Sequence, residues 1–264
     1  MIFYFPQWQG SGTGKSMKDG AKMVLKYLNR EVKTIPLSNK QLVKIANING
    51  QDALLEQLDA FKQELKDVKP KKINTIGGDC GLEIIPVSYL ASKYDNLGVI
   101  WFDAHADINL PEESPSHNFH GMPLRTLLGE GNNEFKSLLF KEINPSQIHY
   151  VGLRSIDKAE QARIEKDNIY APLNSSPKNL IDTLNYKDIT HLYIHFDVDC
   201  LDPKSYKNAY FNVNNGITTA QAEVYIKTLK ENFEIVGTSI LESVAKNDEE
   251  LKPIKNIINL LFNA

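Results

Sequence analysis

Short apolar runs alternate with longer amphipathic segments along the whole chain. The runs that predict strands cover 2–5, 33–36, 73–76, 97–102, 147–151, 168–170, 191–196 and 235–241. Several are unbroken stretches of β-branched and aromatic residues, the pattern of strands covered on both faces. Segments of helical spacing lie between them. Over 19–28, Ala21, Val24, Leu25 and Leu28 share one stripe, and over 51–65 Leu54, Leu55, Leu58, Phe61 and Leu65 do the same. The stretch 116–128 reads as loop and then helix from Pro123, 219–232 as a helix capped by Thr218 or Thr219, and 251–262 as a terminal helix. The polar stretch 174–178 reads as a loop. This alternation predicts an α/β fold: three layers, a mostly parallel central sheet with helices on both faces, in a single domain over 1–264.

The chain's 264 residues, 42% hydrophobic and 24% charged, suffice for a sizeable core without disulfides or structural metals. A formal net charge of −3 gives no pull toward nucleic acid, and no apolar stretch approaches a membrane span. The apolar start, Met1 to Phe5, has no basic residue before it and stops at Pro6, so it reads as a first strand and not a secretion signal. Cys80 and Cys200 are the only cysteines, which is no disulfide framework and fits a reducing cytoplasm.

Candidate chemistry gathers at predicted strand ends, where open parallel sheets bind ligands. Asp103-Ala104-His105-Ala106-Asp107 follows one apolar run and Asp197-Val198-Asp199 another. Alternate side chains of an extended segment point to one side, so Asp103, His105 and Asp107 can face one ion. Acids after a fully apolar run are costly to bury unless paired or metal-bound. Four aspartates and one histidine form a ligand set for a pair of divalent cations, which make water nucleophilic at neutral pH. A third run ends in Gly77-Gly78-Asp79-Cys80, whose glycines allow a tight turn beside the neighbouring strand ends. Gly10-Ser11-Gly12-Thr13-Gly14-Lys15-Ser16 looks like a phosphate-binding loop, but the first glycine of that pattern falls on Gln9, and nucleotide hydrolysis is not expected.

The three blocks, Gly77-Gly78-Asp79, Trp101 to Asn109 and His195 to Pro203, resemble the signature blocks of the arginase (ureohydrolase) family, and the resemblance runs from the first strand to Glu242. It implies a metal-dependent hydrolase of a guanidino C–N bond that acts through a metal-bridging hydroxide on a small-molecule substrate. Two Mn2+ ions are implied, with Asp103 and Asp197 bridging, His105 and Asp199 completing the second site, and Asp107 in the first. The stretch 109–123 is similar to that of the members that cleave L-arginine to L-ornithine and urea. Asn109, Ser114, Ser116 and Asn118 match positions that hold the α-carboxylate, Asp157 the one that meets the α-amino group, and Glu242 the one that pairs with the guanidinium. His120 matches a proton-shuttle histidine. A homo-oligomer, trimer or hexamer, is implied by the same resemblance.

The departures bear on substrate and metal. Cys80 stands where the family has a histidine ligand of the first metal. A thiolate suits zinc, iron or cobalt better than manganese, and a small buried residue that ligates nothing is an equal reading. By its spacing from Asp199, Phe211 falls where a threonine lies near the guanidinium, which alters the pocket wall. Other amidino compounds (formiminoglutamate, agmatine or a guanidino acid) and a metal-poor, non-catalytic binding protein are the alternatives. Agmatine lacks the α-carboxylate that Asn109, Ser116 and Asn118 would hold.

Overall fold

The computed structural model describes residues 1–172 and 176–263. Its strands are β1 (Ile2–Phe5), β2 (Lys33–Thr34), β3 (Lys44–Ile45), β4 (Ile48–Asn49), β5 (Ile73–Gly77), β6 (Leu97–Phe102), β7 (Ile148–Val151), β8 (His191–Phe196) and β9 (Glu234–Ile240). Seven of these form one sheet in the order β2-β1-β5-β9-β8-β6-β7, with every pairing parallel. The helices are α1 (Met17–Leu28), α2 (Gln51–Val68), α3 (Ile84–Ala91), α4 (Pro123–Leu127), α5 (Asn133–Ser137), α6 (Lys158–Lys166), α7 (Pro177–Tyr186), α8 (Thr219–Asn232), α9 (Asp248–Leu251) and α10 (Lys255–Phe262).

The strands bury both faces, as their unbroken apolar runs require. Phe3, Phe5, Val99, Trp101 and Tyr193 join the core beneath α2 and α3, while Ile100, Phe102, Ile194 and Phe196 join the core beneath α7, α8 and α10. The α2 stripe inserts Phe61 against Phe3 and Phe5, with ring centroids 5.1 and 5.5 Å away. Truncating Phe61 to alanine in that packing would cost about 3–5 kcal/mol.

Several boundaries differ from the sequence reading for local reasons. Thr218, one of the two expected caps, is the residue that caps α8, accepting from the Gln221 amide. The terminal helix is broken: α9 ends at Leu251, and a short 3-10 turn around Pro253, which has no N–H to donate, leads into α10. The expected strand at 168–170 is reduced to one bridge between Tyr170 and His149. The stretch 174–178 is not a loop throughout: Pro177 opens α7, while 174 and 175 lie outside the described residues. The pair β3–β4 is a hairpin turned by Ala46 and Asn47, both at positive φ (46° and 59°).

Three close approaches set the sheet's carboxyl end. A Cβ on Gly78 would fall 1.6 Å from the Gln7 carbonyl oxygen, and one on Gly77 2.2 Å from Leu241. Neither glycine has positive φ, so the need is for space and not for a left-handed turn. A Cβ on Gly20 would fall 1.8 Å from the Ser243 carbonyl oxygen, so α1 sits directly on the backbone that follows Glu242.

Candidate metal centre and active site

Four neighbouring strands, β5, β9, β8 and β6, end side by side. They deliver Cys80, Glu242, Asp197 with Asp199, and the stretch from Asp103 to Asp107. The sequence reading had three strand ends converging, and β9 with Glu242 is the fourth. Three groups of donor atoms result, each with all atoms within 4.8 Å of one another: Cys80, Asp103, Asp107 and His195; Cys80, Asp197 and Glu242; Asp103, His105 and Asp199. Asp103 and Cys80 each belong to two of these groups.

Backbone amides hold the acids in place. The His105 amide donates to Asp103 Oδ1 at 2.6 Å, the Ala104 amide to Asp199 Oδ1 at 2.9 Å, and the Asp199 amide to Asp197 Oδ1 at 2.7 Å. His105 Nδ1 lies 2.9 Å from Asp199 Oδ2, and Cys80 Sγ lies 3.2 Å from Asp197 Oδ2. Asp107 and Glu242 both sit at positive φ (52° and 59°), a strained conformation for such residues that concentrates at functional sites.

These donors suit divalent cations. Asp103, Asp107, Asp197 and Asp199 are all buried, and Asp107 Oδ2 has no partner among the described residues. Burial first, and then the neighbouring carboxylates, push Asp107 and Asp197 well above the usual carboxylate range and Asp199 to about 6. Burial works against a charge on His105, yet Asp103 and Asp199 outweigh it and push its pKa up to about 12. A proton there does what a cation would do, relieving crowded negative charge.

Asp79 is not a ligand but an internal fastener. Its carboxylate accepts from Gln7 Nε2, the Gly10 amide and the Gly81 amide at 2.8–2.9 Å. The loop that resembles a phosphate binder therefore spends its Gly10 amide on an internal carboxylate. Burial raises the pKa of Asp79 to about 7.

Above the acids lies a cavity of about 380 Å3. Asn109, Ser114, Ser116, Asn118, Asp157 and His120 all line it, together with His105, Asp107, Asp197 and Glu242. Asn109 Nδ2 donates to Asp157 Oδ2 at 2.7 Å, while Asp157 Oδ1 caps α6 through the Ala159 and Glu160 amides. Asn118 Nδ2 donates to the Ser11 carbonyl at 2.9 Å. His120 Nδ1 lies 2.9 Å from Glu242 Oε1. Burial opposes its charge, but Glu242 and then Asp79 prevail and raise its pKa. Phe211 lines the cavity, with its ring centroid 5.8 Å from that of His120 and 6.2 Å from that of His105.

Two buried residues near the acids escaped the sequence reading, His195 and Glu83. His195 lies inside an apolar strand, where it passes for core. The available signal was register: positions 195 and 197 share a strand face. Cys80 and Cys200 are buried free thiols.

The arginase family model matches residues 15–263. The chain is 35% identical over 208 residues to an arginase of Staphylococcus aureus strain MRSA252, covering 74% of this chain and 69% of that protein. Arginases of other strains of that species match over 58% of their length. An Entamoeba histolytica arginase is 33% identical over 256 residues, 91% of this chain and 86% of that one. The crystal structure of Entamoeba histolytica arginase in complex with L-ornithine superposes with a TM-score of 0.86 at 26% identity, covering 100% of this chain and 98% of that chain. The acids at the carboxyl end of the sheet and every strand of the sheet except β1 fall within residues 15–263, and the chain belongs to the arginase family, hydrolases that act on amidino C–N bonds.

Proposed function

We propose that the protein hydrolyses L-arginine to L-ornithine and urea, with divalent cations held by Asp103, His105, Asp107, Asp197 and Asp199. The observation that carries this reading is the shared cavity. Asn109, Ser114, Ser116, Asn118 and Asp157, the set suited to an amino acid's α-carboxylate and α-amino groups, line the same space as His105, Asp107, Asp197 and Glu242. Its volume lies within the range of small-molecule sites.

Cations bound there would supply a nucleophilic water at neutral pH. The rest falls to the chain. Hydroxyl and amide side chains at 109–118 donate hydrogen bonds to a carboxylate at modest desolvation cost. Asp157 presents one carboxylate oxygen beside Asn109, where it can take an α-ammonium group while the other oxygen stays on the α6 amides. Glu242 faces the planar guanidinium. His120, held by Glu242 with its pKa raised, keeps a proton to deliver to the departing amine.

Cys80 favours a second reading, a homologue that binds ligand without turnover. Assaying urea release from L-arginine, agmatine, formiminoglutamate and guanidino acids, after loading with each divalent metal, tests both. L-arginine is expected to be the best substrate. Agmatine turned over as fast as L-arginine would remove the role given to Asn109, Ser116 and Asn118, and no turnover of any compound with metal bound would establish the silent reading.

A further inference from the structure

We propose that His195 is a metal ligand, and that Cys80, Asp103, Asp107 and His195 together form the first metal site, one adapted to a borderline cation such as zinc, cobalt or iron(II). The inference rests on the reading of the acids as metal ligands and deepens it. Position 80 carries a cysteine where the family resemblance calls for an imidazole, and the neighbouring strand brings one to the same point. His195 Nε2 lies 3.8 Å from Cys80 Sγ and 3.4 Å from Asp103 Oδ2. Cys80 Sγ is 4.0 Å from Asp103 Oδ2. Donors around a tetrahedral zinc ion, at about 2.0–2.3 Å from it, stand roughly 3.3–3.8 Å apart. These three donors therefore need to close in only slightly, and the remaining one lies within 4.8 Å of them. The fourth, Asp107, has a buried oxygen with no partner among the described residues.

The surroundings of His195 are those of a ligating imidazole. The ring is fully buried, and it stacks on Trp101 with centroids 3.5 Å apart and planes 8° apart. Its Nδ1 lies 3.2 Å from Oε1 of the buried Glu83. A carboxylate on one ring nitrogen fixes the tautomer and aims the lone pair of the other at the metal. Glu83 is in this account a positioning residue. Trp101 Nε1 donates to Asp103 Oδ2 at 3.1 Å and holds that carboxylate against the same ring. One thiolate, one imidazole and two carboxylates form a softer set than oxygens with imidazole alone, which turns preference away from manganese. Metal entry displaces the proton on Cys80 Sγ to solvent, and no redox change is involved.

Cobalt(II) binding to the metal-stripped full chain tests the inference by stoichiometry and absorption spectrum. The variants are His195→Gln, whose amide can still donate to Glu83, Glu83→Gln, Cys80→Ser and Asp199→Asn. The expected wild type binds two ions per chain and shows a thiolate-to-cobalt band. That band disappears in Cys80→Ser. His195→Gln and Glu83→Gln weaken one ion about 10–100-fold and leave the other unchanged, while Asp199→Asn weakens the other. If His195→Gln fails to fold, Glu83→Gln carries the test. Unchanged affinity and spectrum in either variant would mean that His195 is a structural core residue. One ion per chain, lost in Asp199→Asn but indifferent to His195→Gln, would overturn this inference and leave the metal reading standing. No ion in the wild type would overturn both.

Discussion

The Arg154 guanidinium donates a 2.7 Å hydrogen bond to the carbonyl oxygen of Asp199. The same side chain also donates to the carbonyls of Gly152, Cys200, Val213 and Asn214 at 2.7–3.2 Å. One planar cation thus ties the segment that presents Asp199 to the loop after β7 and to residues 213–214. Lysine has a single donor centre and cannot reproduce the fork. Arg154→Ala is expected to lower stability by about 3 kcal/mol, and Arg154→Lys to recover only part of it. Urea denaturation measures both; an unchanged midpoint in Arg154→Ala would show that these hydrogen bonds are replaced by water at no cost.

The His120–Glu242 pair yields a prediction about a proton. Glu242 raises the imidazole pKa, so Glu242→Gln should shift it downward, with the protonated form lost at lower pH than in the wild type. NMR titration of the His120 ring reads this directly. His120→Asn should cut kcat about 10²–10⁴-fold with KM for arginine little changed. An unshifted titration in Glu242→Gln would break the link between the two residues.

Asp157 divides its carboxylate between the α6 amides and Asn109. Asp157→Asn keeps a capping oxygen but loses the negative charge. Its stability should stay within about 0.5 kcal/mol of wild type, because asparagine and aspartate cap equally well. Its preference for L-arginine over a guanidino acid that lacks the α-amino group should fall about tenfold or more. Asp157→Ala should lose both, with a stability cost of about 1 kcal/mol. Undiminished discrimination in either variant would remove Asp157 from substrate recognition.

His149 makes stability depend on acid. It is buried on β7, Nδ1 lies 3.0 Å from the Gln147 carbonyl, and Nε2 has no partner among the described residues. Burial first, then Lys187, lower its pKa from 6.5 to about 3. Between those values the unfolded chain binds a proton that the folded chain refuses, so stability falls as pH drops from 6.5 toward 3. The loss is on the order of a few kcal/mol when complete. His149→Gln should flatten that limb of the stability–pH curve; an equally steep limb in the variant would assign it to other groups.

What was legible in the sequence followed from what burial does to residue patterns. Strands β6 and β8 announced themselves because both faces are covered, so every position is apolar or aromatic. The same total burial hid α3: all eight of its residues are buried, which leaves no polar face and no stripe to count. Helix α6 was hidden for the opposite reason, since Ile164 is its one buried apolar residue. At the site, Asp103 to Asp107 and Asp197 to Asp199 were visible as charge where a strand should end. His195 was not, because an imidazole inside an apolar strand has the appearance of a core residue until its distances to Glu83, Cys80 and Asp103 are known. Asp79 was read only as part of a glycine turn, since its three donors come from loops after two different strands.

Urea formation from L-arginine by the chelator-treated protein, titrated with divalent cations, tests the central claim most directly. The account predicts no urea from the stripped protein, recovery on adding cation, and loss of that recovery in Asp103→Asn and Asp197→Asn. Urea formation that persists without metal, or a metal-saturated protein that forms none, would contradict it.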